Sequence, residues 1–301
     1  MTVEPSSAPL IGIALAVTSA AALAVGNLLQ ARGVRSMEAG VASGASGSKA
    51  VNLVRNRFWL IGGVMLGVAI VLQMGSLAFA PLMVVQPIGV VALVFTVLLT
   101  ALFAHQMPSR AVLISIATCV VGVAGFVTVA ALVSTQHAIT DVQLIAILVV
   151  LGFVLVTTAA VWYLGRHRRT PPVMWVLLGG IYSAFVATLG KTVILRVQTA
   201  LHSGGLTWNV ENTLTLVCIA GIGIAGGLSV YFVQRAHAAN RPDVVVAGLT
   251  VVDPAVAVTL GIVILGEASS AAPWAFVVFA VAGAIAIVGV FALSRAESRA
   301  E

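Results

Sequence analysis

Asp253 and Pro254 stand side by side inside an otherwise apolar run, VVDPAVAVTLGIVILGE (residues 251–267). The run is long enough to sit in lipid, where a carboxylate is costly in free energy. Ionisable residues inside membrane spans are therefore default candidates for function. Two readings of the pair are open. In one, Asp253 contacts a substrate or carries a proton. In the other, it caps a half-helix that begins at Pro254. Proline disfavours helical geometry in the residue before it and suits the first helical position, and aspartate is a good N-cap. The readings are compatible, because transporters place sites at broken helices. The second half is therefore predicted to have a capped break at mid-membrane, with Pro254 at the break.

Lys191, in GGIYSAFVATLGKTVILRV, is the second ionisable residue within a span. It is a candidate gate or substrate-anion contact, paired with Asp253. Alternatively its four-carbon stem carries the ammonium to the interface. Five amides, Asn27, Gln30, Gln73, Gln86 and Gln234, are candidates for the same pathway, and equally for hydrogen bonds between helices. Glu267 is expected at the surface, at the outer interface. Gly63 with Gly67, and Gly223 with Gly227, have the spacing that lets membrane helices pack closely.

Other chemistries find no support. Cys119 and Cys218 fall within apolar runs and read as small buried hydrophobes. The histidines, His105, His137, His167, His202 and His237, lie in loops or at helix ends without metal-ligand spacing. The sequence has no nucleophile elbow, phosphate-binding glycine loop or ATPase motif. It is therefore read as a non-enzyme with no cofactor and no metal site.

The elements that position these residues follow from composition. Of 301 residues, 60% are hydrophobic and only 8% charged, and the mean hydropathy is +1.14. Soluble domains carry roughly 25% charged residues, so this chain cannot cover a water-facing surface and reads as an all-α polytopic membrane protein. The net charge of +6 lies mostly in short connections between apolar runs. That is the pattern of membrane orientation, and no nucleic-acid partner is implied. The leading MTVEPSSAPL has no basic n-region, and the run after it exceeds a signal-peptide core, so a retained first helix is expected.

Nine segments reach the roughly 20 residues that cross a bilayer: Leu10–Val34, Phe58–Ala80, Leu82–Ala104, Ala111–Val133, Val142–Gly165, Val173–Val197, Leu214–Ala236, Val244–Leu265 and Pro273–Leu293. Alternate connections are rich in base: Arg32, Arg35, Lys49, Arg55 and Arg57; then Arg110; then Arg166, Arg168 and Arg169; then Arg235 and Arg241; then Arg295 and Arg299. The positive-inside rule gives an external N-terminus and a cytoplasmic C-terminus. The stretch SMEAGVASGASGSKA reads as a flexible cytoplasmic tether.

Shifting the chain by the separation of Gln73 and Gln234, 161 residues, lays helices 1–4 over helices 6–9 without a gap. Pro81 then meets Pro242, Arg35 meets Arg196, Gly122 meets Gly283, and Gln106 meets Glu267. Fixed-period self-similarity reports repeat architecture. The shift crosses five helices, so the halves are expected to be inverted, as in many transporters. The expected organisation is an N-terminal repeat over 1–133, a connecting helix 5 and basic loop over 134–170, and a C-terminal repeat over 171–301.

Four helices per half, with AFAPLMVVQPIGVVALVFTVLLTALF in the first and DPAVAVTLGIVILGE in the second, resemble the drug/metabolite transporter superfamily and its EamA-like permeases. The nine-helix layout and the lysine of helix 6 resemble the NIPA-type magnesium transporters within it. The resemblance implies an inverted-repeat transporter. The leading expectation is a secondary transporter that moves a small metabolite, drug or amphiphile by alternating access, with proton coupling through Asp253. Alternatives are a NIPA-like magnesium transporter, a lipid-linked sugar flippase, and a non-transporting assembly factor. The lipid bilayer and a small-molecule or ion substrate are the expected partners, with a homodimer as a candidate assembly. The arginine bias and minimal loops point to a bacterial plasma membrane.

Overall fold

The computed structural model describes residues 8–42, 56–103, 107–136, 139–164, 171–202 and 210–297. Ten helices account for these segments: α1 (Pro9–Ala42), α2 (Arg57–Phe79), α3 (Leu82–Ile88), α4 (Val91–Phe103), α5 (Arg110–Val133), α6 (Asp141–Leu164), α7 (Pro172–His202), α8 (Val210–Ala239), α9 (Pro242–Val263) and α10 (Pro273–Glu297). Among the described residues, nine stretches are long and apolar enough to cross a bilayer, with α3 and α4 together forming the third. The chain is a multi-pass membrane protein with nine spans among the described residues.

Local chemistry sets several helix ends. Asn56 caps α2, its side-chain oxygen accepting from the N–H groups of Phe58 and Trp59 at 2.9 and 3.3 Å. Ser109 caps α5 in the same way through Val112 N–H. Such caps satisfy backbone donors that have no partner within the helix. The residues expected to begin a flexible tether, Ser36–Ala42, instead extend α1, and the rest of that stretch, 43–50, lies outside the described residues, as does Gln106.

Packing follows a recurring order. α1 lies along α2, α7 along α8, and α5 along α10. α1 also touches α3 and α4, α7 touches α9, and α3 touches both α9 and α5. α6 stays at the periphery against α8 and α7. Large apolar side chains such as Val71, Ile114, Val149 and Val281 point outward, as a bilayer-facing surface requires.

The glycines that allow close packing are not those expected from GxxxG spacing. Gly67, Gly223 and Gly227 face open space, and a Cβ on Gly63 would meet nothing nearer than Gln30 Nε2 at 3.8 Å. Gly122 faces the backbone of Ala286, and Gly289 that of Cys119, so these two hold α5 and α10 in contact. Gly62 does the same for α1 and α2, where a Cβ would lie 2.8 Å from Gly26 O and from Gln30 Cγ. Spacing places two glycines on one helix face but does not say which face meets a neighbour.

The third span is interrupted, and the eighth is not. α9 runs unbroken through Asp253 and Pro254, so the capped break expected there is absent. Proline at position 254 removes one backbone donor, which membrane helices tolerate when neighbours pack around the gap. The interruption lies at Gly89–Val90, after Pro87. There the pairing shifts from i−4 to i−3: Gly89 N–H donates to Gln86 O at 3.1 Å, Val90 N–H to Pro87 O at 3.2 Å, and Ala92 N–H to Gly89 O at 3.1 Å. A short 3₁₀ jog inside a helix is a common hinge position.

Candidate functional site

Asp253 sits near the middle of α9, close to α7. Gly180 permits the approach: a Cβ there would lie 2.7 Å from Val252 Cγ1 and 3.3 Å from Asp253 N. One turn further along α7, Ser183 Oγ donates to Asp253 Oδ2 at 2.6 Å. The other carboxylate oxygen, Oδ1, is buried and has no hydrogen-bond partner. A buried polar atom without a partner is unfavourable by about 1–3 kcal/mol, and more if charged.

Asp253 and Pro254 line a cavity of about 430 Å³ at the centre of the bundle. Gln73 of α2 and Gln86 of α3 also line it, together with Gly89 and Val90 of the jog. Hydroxyls complete the polar surface: Ser19, Ser183, Ser229 and Thr250. Asp253 is the one acidic or basic residue in the lining. Two of the hydroxyls also tie helices together, Ser19 Oγ donating to Ala69 O at 2.7 Å and Ser229 Oγ to Gly179 O at 3.1 Å.

The other amide candidates fall elsewhere. Gln30 packs over Gly62 and Gly63 at the α1–α2 contact, while Asn27 and Gln234 are exposed; none of the three lines the cavity. Periodicity places polar residues on helices but does not say which of them point inward.

Lys191 forms a second, separate centre. It is 1% exposed, its Nζ lies 2.6 Å from Glu267 Oε1, and the same nitrogen donates to Ala80 O at 3.1 Å. It neither reaches an interface nor pairs with Asp253. Glu267, expected at the surface, is 3% exposed. Its Oε1 also accepts from Leu82 N–H at 2.7 Å, and its Oε2 from Met83 N–H at 2.8 Å.

The geometry explains the burial. Ala80–Pro81 separates α2 from α3, and Pro81 offers α3 no side-chain cap. Glu267 therefore caps α3 from a distant loop, and Lys191 meets the carbonyl at the end of α2. Each charge lies at the helix end that its sign suits. Gly266 makes the return possible: its φ of +70° turns the chain after α9, so that Glu267 N–H donates to Gly261 O at 3.0 Å.

Around this centre the connections at one end of the bundle are laced together. Thr135 N–H donates to Glu267 O at 2.9 Å, and Thr135 Oγ1 lies 3.3 Å from Ser269 Oγ. Gln143 Nε2 donates to Leu265 O at 3.1 Å, Ser270 Oγ to Val133 O at 3.0 Å, and Ala8 N–H to Phe79 O at 3.2 Å. Arg196 pairs with Asp141. At the opposite, base-rich end, Arg32 stacks over Phe103 at 4.1 Å, and Trp162, Trp175 and Tyr231 gather near Arg235. Such aromatic groupings are typical of a membrane–water interface.

No family model matches the chain. No solved structure matches it either. An uncharacterized protein of Corynebacterium glutamicum is 26% identical over 257 residues, covering 82% of this chain and 83% of that protein. The relative is bacterial, and the alignment runs through most of the spans. Among the described residues, no three His, Cys, Asp or Glu side chains gather as a metal site would require, and Cys119 and Cys218 are buried and free.

Proposed function

We propose that the protein is a secondary transporter of the drug/metabolite transporter type, moving a small solute by alternating access through the Asp253 cavity. The observation that carries this reading is a buried carboxylate oxygen without a partner, beside a central cavity of about 430 Å³. Pockets of this size suit small molecules, and an intramembrane carboxylate is the usual mark of an ion or substrate path. The neighbour pattern adds support. The contacts of the first span with the second and third recur as those of the sixth with the seventh and eighth, as inverted repeats would require.

The arginine-rich connections orient the chain with its N-terminus outside, in a bacterial plasma membrane. The laced end around Glu267 is then external, and the conformation is closed to the outside. Asp253 serves as the group that exchanges a proton for substrate during the cycle, and Ser183 holds its carboxylate in place.

Flux into proteoliposomes under an imposed pH gradient tests this reading. Gradient-driven uptake of tetramethylammonium, a permanently charged probe that cannot cross the bilayer as a free base, is expected in the native protein and lost in Asp253→Asn. Uptake that persists unchanged in that variant overturns the role of Asp253. Mg²⁺ uptake in the same vesicles tests the magnesium alternative, for which the cavity offers one carboxylate where Mg²⁺ usually takes one or two and keeps several waters.

A further inference from the structure

A second cavity of about 150 Å³ adjoins the first, and its lining is almost wholly apolar. Phe126 and Val123 of α5 form one wall, and Gly283 and Ile287 of α10 another. Val90, Thr250 and Pro254 line both cavities. These three residues form the partition between a polar chamber that contains Asp253 and an apolar annex. The partition lies between the α3–α4 jog on one side and the proline of α9 on the other. A Cβ on Gly283 would meet nothing within 4 Å, so the annex has unfilled room at that wall.

We propose that the two cavities together bind one amphiphile with a single cationic head. The head takes the chamber, where Asp253 is the only charged group and hydroxyls and amides supply the remaining polar contacts. A short hydrocarbon tail passes the Val90–Pro254 partition and fills the annex. The proposal rests on the reading of the chamber as a transport site and adds the substrate's chemical class. It also assigns an occupant to the second cavity, which opens at Ile287 to the bundle surface and would otherwise take a lipid chain. An anionic head is disfavoured because Asp253 would repel it. The annex holds about five water-sized volumes, so it accommodates a tail of about five carbons.

The test is equilibrium binding of n-alkylammonium chlorides, methyl to octyl, to the purified full-length protein in zwitterionic nanodiscs, corrected for partition into protein-free discs. In the native protein, affinity is expected to rise roughly fourfold per methylene, the gain for burying one CH₂, and to level off near five carbons. Gly283→Leu places a side chain in the annex and is expected to keep methyl- and ethylammonium binding while losing the rise with length. Ala255→Leu fills the annex from the α9 side and provides a second variant should the first fail to yield monodisperse protein. A native protein indifferent to chain length, or a rise that both filled variants retain, overturns the annex assignment and leaves the chamber reading standing. Methylammonium binding that is absent, or unchanged in Asp253→Asn, overturns the chamber reading itself. Alkyl phosphates that bind more tightly than alkylammonium ions of equal length overturn the cationic head.

Discussion

Lys191 and Glu267, 76 residues apart, form a buried ion pair of 2.6 Å that joins two helices to which neither belongs. The ammonium meets the last carbonyl before Pro81, and the carboxylate meets the first two N–H groups after it. The pair acts as a remote cap for a break between spans, and its partners are unequal. Without Lys191, Glu267 keeps two backbone donors. Without Glu267, Lys191 keeps one carbonyl, and two N–H groups are left bare.

That asymmetry predicts the order of damage. Glu267→Ala should destabilise by about 3–5 kcal/mol, the range for breaking a buried pair from one side, and Lys191→Met by less. The double variant should recover part of the loss, because no unpaired charge remains. Thermal unfolding of the four proteins in one detergent measures this. Equal losses in the two single variants would show that the carboxylate's backbone contacts contribute nothing.

The Arg196–Asp141 pair is the contrasting case. Asp141 is 44% exposed, and water and salt screen its attraction. Asp141→Asn should alter stability by no more than about 1 kcal/mol. Repeating the measurement at high salt should shrink even that difference.

The number and position of the spans were legible in the sequence because each rests on a single local property, a run of apolar residues near bilayer length. The place of Asp253 inside a span was legible for a similar reason, as a charge in such a run needs an explanation. Ser183 was missed because a lone serine in a membrane helix is ordinary. What singles it out is its position one turn from Gly180, where α7 comes near α9. Glu267 was misjudged because it follows a helix end, where exposure is the usual outcome. Its burial depends on Leu82, Met83 and Lys191, which no local pattern brings together. The break was sought at Asp253–Pro254 because proline after a good cap usually begins a helix. Instead α9 absorbs the proline, and the jog follows Pro87, where Gly89 and Val90 make i−3 bonds.

Helix contact at α5–α10 yields a paired prediction. Gly122→Val sets a branched side chain against the Ala286 backbone and must push the two helices apart, with a loss of the 1–3 kcal/mol typical of overpacking or more. Gly67→Ala meets open space and should be neutral or stabilising, since alanine favours a helix over glycine by about 1 kcal/mol. Melting temperatures of the two variants should therefore move apart, although both glycines belong to membrane helices.

Ser183 donates to Asp253 Oδ2 at 2.6 Å, and hydrogen bonds to charged groups contribute about 1.5–3 kcal/mol. If the carboxylate must be held in place during turnover, Ser183→Ala should lower kcat/KM for transport by about tenfold or more while leaving the melting temperature within a few degrees. Asp253→Asn should be more severe. A Ser183→Ala protein with native transport would mean that the carboxylate works equally well unrestrained.

Alternating access requires the laced end to open, which makes the Thr135–Ser269 contact decisive. Their side-chain oxygens lie 3.3 Å apart on an exposed surface, on the α5–α6 and α9–α10 connections. Replacing both with cysteine puts two thiols within bonding reach, and the native Cys119 and Cys218 are buried and do not compete. Oxidation of Thr135→Cys/Ser269→Cys should then abolish uptake in proteoliposomes, and reduction should restore it. Each single-cysteine variant should transport normally under both conditions, which excludes a general effect of the oxidant. Substrate binding to the cross-linked protein should survive when ligand is offered from the base-rich side, because the chamber lies beyond the locked end. Undiminished flux through the oxidised double variant would mean that solute passes without this end moving, and the alternating-access reading would fail.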